Sequence, residues 1–132
     1  SSYMDVPMNQ KIFMAQYECI KKLAEQESCI IVGRCADYAL KDMPGLVSVF
    51  ISADMDFKIK RVIEMYGCDE VKAKDIINKT NKKRASYYNF YSNKKWADSR
   101  SYNLCINSSV VGIENAADLI IQFMNLKLNK KD

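Results

Sequence analysis

The chain has 132 residues, a formal net charge of +4 and 48% hydrophobic residues. That composition is ordinary for a globular protein and excludes a disordered, collagenous or repeat-array chain. At this length one domain is expected, able to remove roughly 65% of its unfolded surface from water.

The five cysteines include no C-x-x-C pair and there is no histidine to complete a zinc site, which excludes an H-E-x-x-H site and any histidine-dependent triad. Reduced thiols are the expected state. No segment approaches the ~20 apolar residues of a membrane span and no basic-then-apolar leader opens the sequence, so the protein is expected in the cytoplasm. The mild positive charge points to a local basic site rather than a nucleic-acid coat.

Met8, Ile12, Ala15, Cys19 and Leu23 recur at helical spacing and predict an amphipathic helix over 8–26, following Pro7. CIIVG at 29–33 has the uniform apolarity of a strand covered on both faces. A short helix over 35–42 should end before Pro44. VSVFIS at 47–52 reads as a second buried strand. Asp54 then caps a helix whose packed face is Ile59, Val62, Ile63 and Tyr66, up to Gly67.

Asp69 starts another helix, and with neither glycine nor proline from Cys68 to Val111 this helix can run past Arg84. A third strand, NLCIN at 103–107, leads through Ser108 and Ser109 to a final helix carrying Ile113, Ala116, Ala117, Ile120 and Met124 on one side, before a polar tail at 127–132. Strands alternating with helices predict a parallel sheet flanked by helices. In such sheets ligands lie beyond the carboxyl ends of the strands.

Gly33 and Arg34 leave the first strand at that edge. Arg34 suits either a two-point grip on a phosphate or a solvated strand end. Asp37, one turn on, suits either a helix cap or a ligand hydroxyl. Residues 76–97 hold Lys79, Lys82, Lys83, Arg84, Lys94 and Lys95 and no acid. Such a run is usually a solvated face, but folded over an anion it would neutralise charge on a transferring phosphoryl group.

Tyr88, Tyr91 and Lys95 share a helical face with Arg84, while Tyr87, Phe90 and Lys94 share one with Lys83. These rings suit packing on the sheet, stacking on a base, or single-stranded nucleic acid. Arg61 suits a salt bridge to Glu64 or Asp56. With four glycines and no G-x-x-x-x-G-K-[ST] or G-x-G-x-x-G motif, the residues present build no phosphate-cradling loop.

CIIVGRCADYAL, VFISADMDFKIKRVIE, KTNKKRASYYNFYSNKKWAD and YNLCINSSVVGIENAADLI, in that order, resemble the cytidylate kinase-like family of P-loop kinases over about residues 12–124. The resemblance implies a nucleoside monophosphate kinase-like fold: a P-loop kinase-like three-layer sandwich on a five-stranded parallel sheet, with a helical lid at 69–96. The family's first strand, glycine-rich loop and lysine would precede residue 1. Cys35 stands where cytidylate kinases carry Asp in G-R-D, and Asn81 and lysines fill much of the lid.

By the same resemblance Arg61, Lys82, Lys83 and Arg84 are the catalytic cations, and Arg34, Asp37 and Tyr88 bind the acceptor nucleotide. Arg61, Ser108 and Ser109 would meet the donor, Ser108 and Ser109 near its adenine. The expected reaction is phosphoryl transfer from ATP, with Mg²⁺, to a CMP-like nucleoside monophosphate by the complete protein. The expected partners are nucleotides, with no membrane, no strong case for nucleic acid, and self-association left open. A non-catalytic nucleotide-binding or single-stranded nucleic-acid-binding module is the alternative.

Overall fold

Two strands and six α-helices, a computed structural model shows, gather into two units, residues 1–46 and 47–132; residues 2–131 are described, with side chains for 8–131. In the first unit helix α1 spans Ser2–Gln26, so Pro7 lies inside it rather than ahead of it. Ile20 of α1 packs with Ala36, Ala39 and Leu40 around helix α2 (Ala36–Ala39), flanked by Tyr17, Ala24 and Ile31.

The buried stripe of α1 is therefore Tyr17, Ile20 and Ala24, and not the predicted Met8, Ile12, Ala15, Cys19 and Leu23, of which every member is exposed. Both stripes obey the helical period, and the one that faces α2 is the one that is covered.

The segment 29–33 departs further from expectation. Ile31 turns into the cluster, but Ile30 and Val32 are 95% and 89% exposed, and no strand among the described residues pairs with the segment. A parallel strand exists only through its ladder, and apolar composition alone cannot supply one.

Beyond it Gly33, Arg34 and Cys35 all take left-handed φ, at 72°, 55° and 55°. For the two non-glycine residues this conformation is costly and needs support from the surroundings. Here the support is visible: the Ala36 N–H donates to the Gly33 carbonyl at 3.1 Å, and the Tyr38 and Ala39 N–H groups donate to the Cys35 carbonyl. Cys35 is buried, and that burial, helped by the Asp37 carboxylate, pushes its thiol up to about 11.

In the second unit β1 (Val49–Ser52) pairs in parallel with β2 (Leu104–Asn107), Val49 opposite Leu104 and Ser52 opposite Asn107. Parallel strands need a long crossover, and here it holds helices α3 (Met55–Tyr66) and α4 (Glu70–Ser92) and a 3₁₀ turn at Ser99–Ser101. Asp54 precedes α3, and Gly67 closes it at φ 64° with its N–H on the Ile63 carbonyl. The Asp69 carboxylate accepts from the Lys72 N–H at 2.8 Å and caps α4.

The two helices then bury Ile59, Ala73 and Ile77 together, with Val62, Ile63 and Cys68 around them. Ala73 is fully buried at this contact, and its small side chain lets the two backbones approach.

The other end of α4 is held by rings. Tyr88 stacks on Tyr102 at 5.8 Å between centroids, and Phe50 of β1 meets Tyr102 at 5.0 Å and Trp96 edge-on at 5.2 Å. After β2 the chain forms α5 (Ser108–Val111), turns at Gly112 with φ 88°, and ends in α6 (Ile113–Leu128). The tail expected from 127 is helical for two residues more. The sheet is parallel and flanked by helices, as anticipated, with two strands among the described residues. None of their helices is long and apolar enough to cross a membrane.

Truncating Ile77 should remove a central contact between α3 and α4: Ile77→Ala is expected to cost about 2–5 kcal/mol, read as a lower urea midpoint at unchanged slope. Alkylation at pH 8 should modify the exposed Cys19, Cys29 and Cys105 first. Cys35, raised from 9.0 to about 11, then holds about 10²-fold less thiolate than an ordinary cysteine and should be modified last.

Candidate functional site

The second unit contains a cavity of about 670 Å³ lined by β1, α3, α4, α5 and α6, a size suited to a small ligand. Its floor is apolar: Ile51 comes from β1, Ile76 and Ile77 from α4, and Ile113, Ala116, Ala117 and Ile120 from α6. Helix α3 contributes Phe57, Lys58, Arg61, Val62 and Met65, the stripe that a 3.6-residue period places on one face. Helix α4 contributes Thr80, Asn81 and Arg84 by the same periodicity.

Arg61 and Arg84, separated by 23 positions in the chain, thus line one cavity together with Lys58. Arg61 lies over the Phe57 ring with its guanidinium carbon 5.9 Å from the centroid, a contact that steers the side chain while leaving its N–H donors available.

The salt bridges considered for Arg61 do not form: among the described residues the ion pairs are Lys74–Glu70, Lys79–Asp75 and Arg100–Asp98. The last is an exposed two-point contact whose hydrogen bonds hold the Asp98 carboxyl well below the usual carboxylate range. Lys58, Arg61 and Arg84 therefore face the cavity without a carboxylate partner among the described residues. A cavity lined by three cationic side chains among apolar ones is chemically matched to a ligand with a flat organic part and a polyanionic part.

The predicted residues fall into distinct places. Arg61, Arg84 and Ser108 line the cavity. Lys82 and Lys83 are exposed on α4 beside Arg84, on the parts of the helix turned away from the lining stripe. Ser109 is bound into the turn after β2, where it accepts from the Asp54 N–H at 2.9 Å and donates to Asn107. Tyr88 is buried against Tyr102, so its ring contributes packing.

Arg34 and Asp37 belong to the first unit. Arg34 is exposed in the left-handed turn after residue 33, and the Asp37 carboxylate accepts from the Tyr38 N–H at 2.9 Å.

Lys58 and Thr80 were missed in the sequence. The signal was present in their spacing, Lys58 three positions before Arg61 and Thr80 four before Arg84, which puts each on the face of its arginine. Trp96 also lines the cavity while packing against Phe50.

The profile of the cytidylate kinase-like family matches residues 1–110. A crystal structure of an uncharacterized protein from Eubacterium ventriosum ATCC 27560 is similar at a TM-score of 0.85 and 44% identity, over 88% of this chain. The chain spans 66% of that protein's length. Curated proteins give no match. With the family profile covering most of the sequence, the chain belongs to the cytidylate kinase-like family.

Proposed function

We propose that the complete protein is a nucleoside monophosphate kinase-like phosphotransferase that moves a phosphoryl group from ATP to a CMP-like acceptor. The observation that carries this reading is the convergence of Arg61 and Arg84, on two different helices, on the wall of one cavity with an apolar floor. Family membership supports a kinase-type enzyme in general terms.

In this reading Lys58, Arg61 and Arg84 bind the phosphates, and Lys82 and Lys83 raise the local positive potential from the outer surface of α4. Phosphoryl transfer has little covalent work for a protein to do, so positioned cations that offset charge on the moving group are the main contribution. The floor residues would exclude water from the site, which strengthens each cation–phosphate contact.

Bound ATP with Mg²⁺ supplies the phosphoryl group. Among the described residues no group of three or more acidic or thiol side chains forms a metal cage. The residues that line the cavity include no carboxylate, so Mg²⁺ would be held there through substrate phosphates and water. Arg34 and Asp37, which belong to the first unit, are assigned to the acceptor by the family resemblance alone.

The finer fold assignment belongs to the same proposal. One edge of β1 is taken by β2, and Ile51 on that strand is 55% exposed. The other edge is where a further parallel strand of a P-loop kinase sheet would add, followed by its phosphate-binding loop at the carboxyl end.

The experiment is an assay of the complete gene product with ATP, Mg²⁺ and each nucleoside monophosphate. ATP-dependent formation of a nucleoside diphosphate is expected, with Arg84→Ala lowering kcat by about 10²-fold or more at little cost in melting temperature. If no monophosphate is converted, the enzymatic reading falls. Oligonucleotide binding that weakens steeply with salt and ignores ATP would install the nucleic-acid module instead.

A further inference from the structure

The carboxyl ends of β1 and β2 are joined by a set of polar contacts, of whose residues Ser52 and Ser108 line the cavity. The Asn107 amide nitrogen donates to the Asp54 carboxylate at 2.9 Å, and the Asp54 N–H donates to the Ser109 hydroxyl at 2.9 Å. That hydroxyl donates in turn to the Asn107 amide oxygen, which also accepts from the Ser109 N–H at 3.1 Å. The neighbouring Ser108 hydroxyl donates to the Ser52 carbonyl at 3.0 Å.

Both serine hydroxyl protons are thus committed to the protein. Asp54 is the residue from which α3 departs, and Lys58 and Arg61 follow it by four and seven positions on one helical face. The middle of α3 is fixed separately, by Ile59 against Ala73 and Ile77 of α4.

We infer that Asn107 and Ser109 are positioning residues: they hold the amino-terminal turn of α3 on the strand ends and so set where Lys58 and Arg61 stand opposite Arg84. This rests on the phosphate-binding reading of the cavity and departs from the role the family resemblance suggests for Ser109, contact with the donor. The hydroxyl acts through the backbone of Asp54, and loss of that contact frees the first turn of α3 to shift. Cation–phosphate hydrogen bonds are sensitive to such shifts because a bidentate guanidinium contact has a fixed geometry.

The test is calorimetric titration of inorganic tripolyphosphate into the complete gene product and its variants, at a temperature well below each melting point. Lys58→Ala/Arg61→Ala should weaken binding by about tenfold or more. Ser109→Ala and Asn107→Ala should each weaken it by about three- to tenfold, and Ser109→Thr, which keeps the hydroxyl, should stay within about twofold of the parent.

Adding Ser109→Ala to the Lys58/Arg61 double variant should cost nothing further, since a residue acting through those cations has no effect once they are gone. Ser109→Ala binding at parental strength while the double variant is weakened would overturn the positioning role and leave the cavity assignment standing. So would an additive loss, which marks direct contact. Absence of tripolyphosphate binding to the parent chain would overturn the cavity assignment and this inference with it.

Discussion

The parallel pairing of Val49–Ser52 with Leu104–Asn107 is the constraint from which the rest of the second unit follows. A parallel ladder forces the chain to return to its starting end, so everything between residues 53 and 103 must cross over. The register sets Ser52 opposite Asn107, and Asp54 and Ser109, just beyond them, come within hydrogen-bond reach. Helix α3 starts from that junction. A site at the carboxyl ends of the strands is thus a consequence of strand direction, and its residues need no proximity in sequence.

Helix α4 shows how one continuous element serves packing and the lining of a cavity together. Its first half is tied to α3 through Ala73 and Ile77, and its last turns through Tyr88 to Tyr102. Between the two anchors lies the stretch Thr80–Arg84, where Thr80, Asn81 and Arg84 turn toward the cavity while Lys82 and Lys83 stay in solvent. A basic run is usually a solvated face, and for the two lysines that description holds. Arg84 is exposed as well and differs in its angle about the helix axis, which places it in the cavity lining.

The first unit departs from its sequence pattern for related reasons. Helix α1 carries two apolar stripes, and the periodicity of Met8, Ile12 and Leu23 is as regular as that of Tyr17, Ile20 and Ala24. The second is covered because α2 packs on it. Likewise CIIVG has strand composition, yet Ile30 and Val32 face solvent because no described strand borders them. Arg34 and Cys35 in left-handed conformation were not foreseeable, since neither residue type favours that region.

By itself the sequence determined the local elements: α4 from its Asp69 cap through a glycine-free run, α3 between Asp54 and Gly67, and the two strands from short apolar runs. It also determined the family, through four ordered segments, and named Arg61 and Arg84. Only the tertiary structure decided that these two side chains share a cavity with Lys58 and Thr80, that Tyr88 is buried, and that Ser109 is bound to Asp54. Propensity and capping act over a turn or two of chain. Which face of a helix meets which partner depends on contacts between residues some 50 positions apart, as with Ser52 and Ser108 or Asp54 and Asn107, and those exist only once the parallel ladder has closed.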